Sequence, residues 1–340
     1  MIDLQSDTVT LPDDAMRDAA HDAVVGNAKL GTDPTVRRLE SQAAALLGME
    51  SALFCPSGTM GNQASCRVHT ERGQEVLVEV DSHVYNSEYG GLAHLSGLQP
   101  RPIDGGDRGV PTPAEIRAGI RANGKCETSL LVLENTHNKK GGVAVEPQRL
   151  AAAAQAAHEA GLSVHLDGAR LFNAAVALNQ PLDSFTEHVD SVMVSVSKGL
   201  GGPVGSLVAG SASFIEAAEH ERNALGGGMR QAGMIAAPAL VALDNVDRLA
   251  DDHENARRLA DGLAGIDGLE PNDPETNIVL VDVSKTGVTA ARFCELLESE
   301  GVSTSEFGEH TVRLCTHLGI DADDVERAVA ILEAVVATLE

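Results

Sequence analysis

Six short stretches of apolar and β-branched residues punctuate the first two-thirds of this chain, several of them separated by helix-length runs. "SALFCPSG" (51–58), "QEVLVEVD" (74–81), "SLLVLENT" (129–136), "LSVHLDGA" (162–169), "SVMVSVSK" (191–198) and "SLVAG" (206–210) read as strands. "TMGNQASCRVHTERG" (59–73) and "PQRLAAAAQAAHEAG" (147–161) read as helices, the second opening on proline and closing on glycine. Strands alternating with helices predict a mainly parallel sheet with helices on both faces, because each crossover lays a helix against the sheet.

The pattern changes after about residue 245. A long polar helix ("NVDRLADDHENARRLADGLAG") leads to a strand "NIVLVDV", a helix "TAARFCELLESEG", short strands around "VSTSEF" and "TVRLCTH", and an amphipathic helix over about 322–339. The expected organisation is therefore α/β, with a large domain over 1–245 and a small α+β domain over 246–340.

Charge and composition exclude several classes of protein. Fifty acidic against 25 basic residues give a net charge of −25, which repels nucleic acid and anionic membranes. The acids lie singly and in pairs along helices and form no tail. With only six lysines and no tryptophan, this reads as a surface adapted to a salt-rich cytoplasm, the pattern of a halophile. No apolar run is long enough to span a bilayer, and the first residues lack the basic flank and apolar stretch of a signal peptide. Five scattered cysteines without a CxxC pair predict reduced thiols and a cytoplasmic setting. The twelve histidines contain no HExxH pair, which argues against a metal hydrolase.

Ligands of open parallel sheets gather where the strands end. Ser57, Gly58 and Thr59 stand at such an exit and open a helix, where bare amides and a hydroxyl can cradle a phosphate or simply cap the helix. Asp167 and Arg170 follow another strand. They either neutralise each other or leave the carboxylate for a cationic ligand nitrogen and the arginine for an anionic substrate. Lys198 follows a third strand, beside Gly199, Gly201 and Gly202, which leave room for a planar ring; a desolvated lysine there is nucleophilic enough for Schiff-base chemistry. The glycines miss the dinucleotide fingerprint, since Val204 holds its last position. An anion cradle, a carboxylate and a lysine together fit one cofactor, pyridoxal 5′-phosphate.

"MIDLQSDTVT", "DPTV", "PSGTMGNQ", "LENTHN", "HLDGARLFNA", "SKGLGGPVGSL", "GGGMRQAG" and "VRLCTHL", in this order from residue 1 onward, resemble the low-specificity L-threonine aldolases, pyridoxal-phosphate lyases of the aspartate-aminotransferase-like fold. The resemblance implies cleavage of L-threonine and L-allo-threonine to glycine and an aldehyde. It also implies a homo-oligomer, commonly a tetramer, with active sites at dimer interfaces. By that likeness Lys198 holds the cofactor covalently, Asp167 keeps its ring nitrogen protonated, and His83 stacks on the ring near the substrate hydroxyl. Ser57, Gly58 and Thr59 bind phosphate, with Arg230 reaching in from a neighbouring subunit. Ser6, Arg170 and Arg313 hold the substrate carboxylate, Arg170 beside the cofactor. The chain departs from the family at Leu30, where a tyrosine is usual, at Asn223, where a lysine is usual, and over 121–132, which lacks an expected second histidine. A β-eliminating lyase of the same fold and a catalytically idle homologue are the rival readings.

Overall fold

In a computed structural model, residues 1–121 and 125–339 are described. The expectation of a histidine-free stretch before "LENTHN" falls partly on 122–124, outside the described residues. Strand β1 (Ile2–Asp3) is followed by the central strands β2 (Ser51–Cys55), β3 (Glu75–Glu79), β4 (Gln99–Ile103), β5 (Thr128–Glu134), β6 (Ser163–Gly168), β7 (Ser191–Ser195) and β8 (Ser206–Gly210). These seven form one sheet in the order β2-β8-β7-β6-β5-β3-β4. Only β8 runs against the rest, pairing antiparallel with both β2 and β7. The ten residues between β7 and β8 are too few for a crossover helix, so the chain must return antiparallel.

Helices cover the sheet with small residues. Pro147–Glu159 buries Leu150, Ala153, Ala154 and Ala157, one face at helical spacing. Gly58–His69 approaches so closely that a Cβ on Gly61 would lie 2.9 Å from both Met193 and Val208. β4 carries two prolines, Pro100 and Pro102, and is tolerated because it is an edge strand with no outer neighbour to receive an N–H.

The remaining strands, β9 (Glu270–Pro271), β10 (Ile278–Asp282), β11 (Val302–Ser303), β12 (Ser305–Glu306) and β13 (Thr311–Cys315), serve a second packing unit. β12-β13-β10-β9 form an antiparallel sheet under the helices Ala290–Ser299 and Ala322–Ala337. Its core includes Leu259, Phe293, Leu314 and Leu332, together with Ile2 and Leu4 from the N-terminus. β1 pairs in parallel with β11, so the first residues of the chain run along this unit and then turn toward the large sheet. No helix among the described residues is long and apolar enough to cross a membrane.

Candidate active site

β3, β5, β6 and β7 all end on the same edge of the sheet, and a cavity of about 200 Å³ opens there. Its lining includes Ser6, His83, Asp167, Arg170, Lys198 and Arg313, six residues separated by up to 307 positions in sequence. β13 supplies Arg313, so the cavity lies between the large sheet and the second unit.

Lys198 sits in the short β7–β8 connection, where its carbonyl accepts from Thr10 Oγ1 at 3.2 Å and from the amide of Gly201 at 2.8 Å. The glycines here answer to close packing against the protein itself. A Cβ on Gly202 would stand 2.5 Å from the Val196 carbonyl, one on Gly199 would stand 2.7 Å from Leu249, and Gly201 has φ +82°. That corrects the expectation that they make room for a planar ring. Burial lowers the Lys198 amine below its ordinary range, and the nearby Arg170 charge adds to the effect.

Asp167, next to the last residue of β6, stands in register with Glu134 at the end of β5. Its oxygens accept from Asn62 Nδ2 at 2.9 Å and from the Ala169 amide at 3.1 Å. Arg170 does not neutralise it. That guanidinium instead grips Asp7 bidentately, Nε to Oδ2 at 2.7 Å and Nη2 to Oδ1 at 2.8 Å. Burial alone would raise the Asp7 carboxyl, but Arg170 outweighs it and holds Asp7 at about 2. A buried carboxyl group supported only by neutral donors is poised to receive a cationic nitrogen.

The two arginines converge. Arg170 Nη1 and Arg313 Nη1 donate to Asn138 Oδ1 at 3.3 and 3.1 Å, while Arg313 Nη2 reaches the Gln5 carbonyl at 2.9 Å. Beside them Ser6 Oγ caps the turn Asp7–Val9 and accepts from Thr8 Oγ1 at 3.0 Å. Across the cavity, His83 Nδ1 lies 3.3 Å from Glu88 Oε1. Burial would lower this imidazole, but Glu88, with Asp167 and Glu134, reverses the effect and raises it. Glu134 accepts from the His83 amide at 2.6 Å and the Asn138 amide at 2.8 Å, so one buried side chain anchors both walls.

Other expected residues lie outside this lining. Ser57 caps the helix Gly58–His69 by accepting from the Met60 amide at 3.2 Å, leaving the first amides, those of Gly58 and Thr59, beyond the helical ladder. Arg230 is exposed at a bend, donating to the Gly228 carbonyl. Leu30 is 72% exposed and adjoins it, since the Ala28 amide donates to the Arg230 carbonyl at 2.8 Å. Asn223 accepts from Arg222. Asp7, Asn62, Glu88, Glu134 and Asn138 escaped the residue-by-residue reading. Glu134 alone had a signal, an acid at the end of an apolar strand like Asp167.

An amine held below its usual basicity, an unpaired buried carboxyl and a helix N-terminus, brought to one edge of a doubly covered sheet, define a lysine-dependent pyridoxal-phosphate enzyme. The residues present fit that group in kind: the cavity holds an amine, Lys198, and a carboxyl, Asp167, and the helix opening at Gly58 leaves its first amides free. The chain belongs to the beta-eliminating lyase family, whose model matches residues 3–286. It is 40% identical over 348 residues to low-specificity L-threonine aldolase 1 of Arabidopsis thaliana, covering 100% of this chain and 97% of that one. The low specificity L-threonine aldolase of Escherichia coli K12 is also 40% identical, over 97% of this chain and 98% of its own. A solved threonine aldolase of Leishmania major shares the fold with a TM-score of 0.80 at 20% identity, covering 99% of this chain and 100% of that one.

Proposed function

We propose that this chain cleaves L-threonine, L-allo-threonine and related β-hydroxy-α-amino acids to glycine and an aldehyde. The observation that carries this reading is full-length likeness to low-specificity L-threonine aldolases, at a cavity with two converging arginines.

Pyridoxal phosphate, when bound, supplies the electron sink that makes cleavage at the substrate's α-carbon possible. Lys198 is the residue we assign to its aldehyde, because its lowered basicity leaves more free amine near neutrality. Arg170 and Arg313 clamp the α-carboxylate with Ser6, and this clamp decides which bond at the α-carbon is held for cleavage. Asp7 keeps the Arg170 fork aimed, and Asn138 marks where an oxygen sits between the two Nη1 groups. His83 takes the β-hydroxyl proton at Nε2 while Glu88 holds Nδ1. Asp167 keeps the ring nitrogen charged.

We further assign Ser57, Gly58 and Thr59 to the phosphate, and Arg230 to the phosphate of a second subunit. Arg230 and the exposed Leu30 share one surface outside their own cavity, which supports a homo-oligomer, by family likeness a tetramer. A halophilic, cytoplasmic setting remains part of this proposal. So does a division near residue 245, just before the helix Leu249–Ala264 that carries side chains into both cores.

Purified enzyme given L-threonine, L-allo-threonine and D-threonine tests the reading through aldehyde, glycine and ammonia release. Equal aldehyde and glycine from both L-isomers, with no product from the D-isomer, is expected. Ammonia without glycine would transfer the chain to β-elimination.

A further inference from the structure

A file of buried polar side chains leads away from Asp167 into the sheet. Asn62 Nδ2 donates both its hydrogens, one to Asp167 Oδ2 at 2.9 Å and one to Glu88 Oε1 at 2.8 Å. Asn62 Oδ1 lies 3.1 Å from His165 Nε2, His165 Nδ1 lies 2.8 Å from Ser191 Oγ, and Ser191 Oγ lies 2.7 Å from His69 Nε2. Asn62, His165, Ser191 and Asp167 are all buried, and His69 stacks on Phe214 at 4.7 Å.

The proton positions in this file follow by elimination. Turning the Asn62 amide over would press its oxygen against the oxygens of both Asp167 and Glu88, so Oδ1 must face His165. His165 Nε2 therefore carries a hydrogen. Burial, with His69 nearby, holds this imidazole at about 3, so the ring is neutral and Nδ1 is bare. Ser191 must then donate to Nδ1 and accept from His69 Nε2–H. Every donor points the same way.

We propose that His165 is a positioning residue that, as its Nε2–H tautomer, locks Asn62 as donor to both Asp167 and Glu88. One imidazole remote from the cavity thereby aims the carboxyl group assigned to the cofactor nitrogen and the one that holds His83. Gln63 completes the Glu88 side, donating to Oε2 at 2.8 Å, and is itself oriented by Ser96, which donates to Gln63 Oε1 at 2.8 Å. The inference rests on the aldolase reading for the identity of the ligand, but the lock itself does not need it.

Long-range nitrogen–proton NMR correlation on histidine-¹⁵N-labelled enzyme, with and without pyridoxal phosphate, reads the tautomer directly. His165, assigned by its loss in His165→Gln, should stay neutral and Nε2-protonated from about pH 5.5 to 8.5, well above its lowered pKa. A Nδ1–H or doubly protonated ring overturns the proposal. His165→Gln retains an N–H near the Nε2 position and His165→Leu does not. The leucine variant should bind pyridoxal phosphate about tenfold or more weakly and shift the pH midpoint of its absorbance, with the glutamine variant within about threefold of the parent. Unchanged binding and spectrum in His165→Leu, or equal damage in both variants, overturns it. Should both variants fail to fold, Ser191→Ala leaves Asn62 and both carboxyl groups in place and provides the same readout: the ring should stay Nε2-protonated, and a switch to Nδ1–H overturns the lock. If the parent takes up no pyridoxal phosphate, the aldolase reading falls while the nitrogen spectra still decide the lock.

Discussion

Six lysines are spread through 340 residues, and Lys198 combines placement at a strand exit with a cavity to face. Reduction of the yellow enzyme with borohydride should fix the cofactor to a single peptide containing Lys198, and Lys198→Ala should abolish turnover while the melting curve is retained. Label found on Lys125, Lys139 or Lys140 would end this assignment. The neighbouring imidazole permits a test with a sign. Glu88 is the chief group raising His83, so a base at His83 loses its proton only above the ordinary histidine range. The acidic limb of kcat/KM should rise through that elevated value, and Glu88→Gln should move the limb to lower pH. A limb that stays in place or moves upward would remove His83 from the role of base. These side chains were legible unevenly. Lys198 and Asp167 announce themselves by an apolar strand running into a charged residue. Asp7 does not, because nothing in "LQSDTVT" says that its carboxyl will meet a guanidinium 163 positions away.

Elements set these residues in place through a few shared anchors, and Asp33 is the one that ties most backbone. It caps the helix Pro34–Leu46 with Oδ1, which accepts from the amides of Thr35 and Val36 at 3.1 Å. Oδ2 accepts from the amides of Gly26 and Gly233 at 3.0 Å, joining the N-terminal loop to the helix Gly233–Leu243. Asp33 is buried, and the four amides together outweigh burial and hold its carboxyl below the ordinary range. Asp33→Ala should cost about 2–4 kcal/mol, more than an ordinary cap, because buried amides lose their acceptor. Asparagine, normally a good cap, should recover no more than about half of this, since its amide nitrogen must face two other amides. Full rescue by Asn in urea unfolding would show that only the helix cap matters. Six central strands, two of the helices that cover them and most of the second unit were readable, since period and capping residues are local signals, while helices such as Pro34–Leu46 and Ala212–Ala224 were not read. β4 was missed because two prolines mask a strand that only its edge position permits, and the direction of β8 follows from loop length and not from its own residues. The pairing of β1 with β11 joins residues 300 positions apart and leaves no local trace.

At the scale of the whole molecule the net charge of −25 must be held together by the same packing that builds the site. Many of the basic residues are already engaged: Arg170 with Asp7, Arg248 with Asp252, Arg67 with Glu221, and Arg101 and Arg121 with Glu75. The uncompensated acids therefore stand on the outer faces of helices such as Leu249–Ala264 and Ala322–Ala337, whose first turns carry the exposed Asp251 and Asp323. Acids in a first turn suit the helix dipole but repel their neighbours across the surface. In dilute buffer the screening length is about 30 Å, comparable to the molecule itself, and at 1 M it is about 3 Å, shorter than most distances between surface charges. Repulsion that loosens both the fold and any assembly at low ionic strength should thus vanish in concentrated salt. Thermal midpoints in molar potassium chloride should exceed those in dilute buffer by about 3 °C or more, the shift that roughly 2 kcal/mol produces in a chain of this size. Screening saturates early, so most of the gain should arrive below about 0.3 M, where the screening length has already fallen under ~6 Å. Equal midpoints across the series would refute self-repulsion, and a gain that grows only above molar salt would point instead to the exclusion of salt from apolar surface.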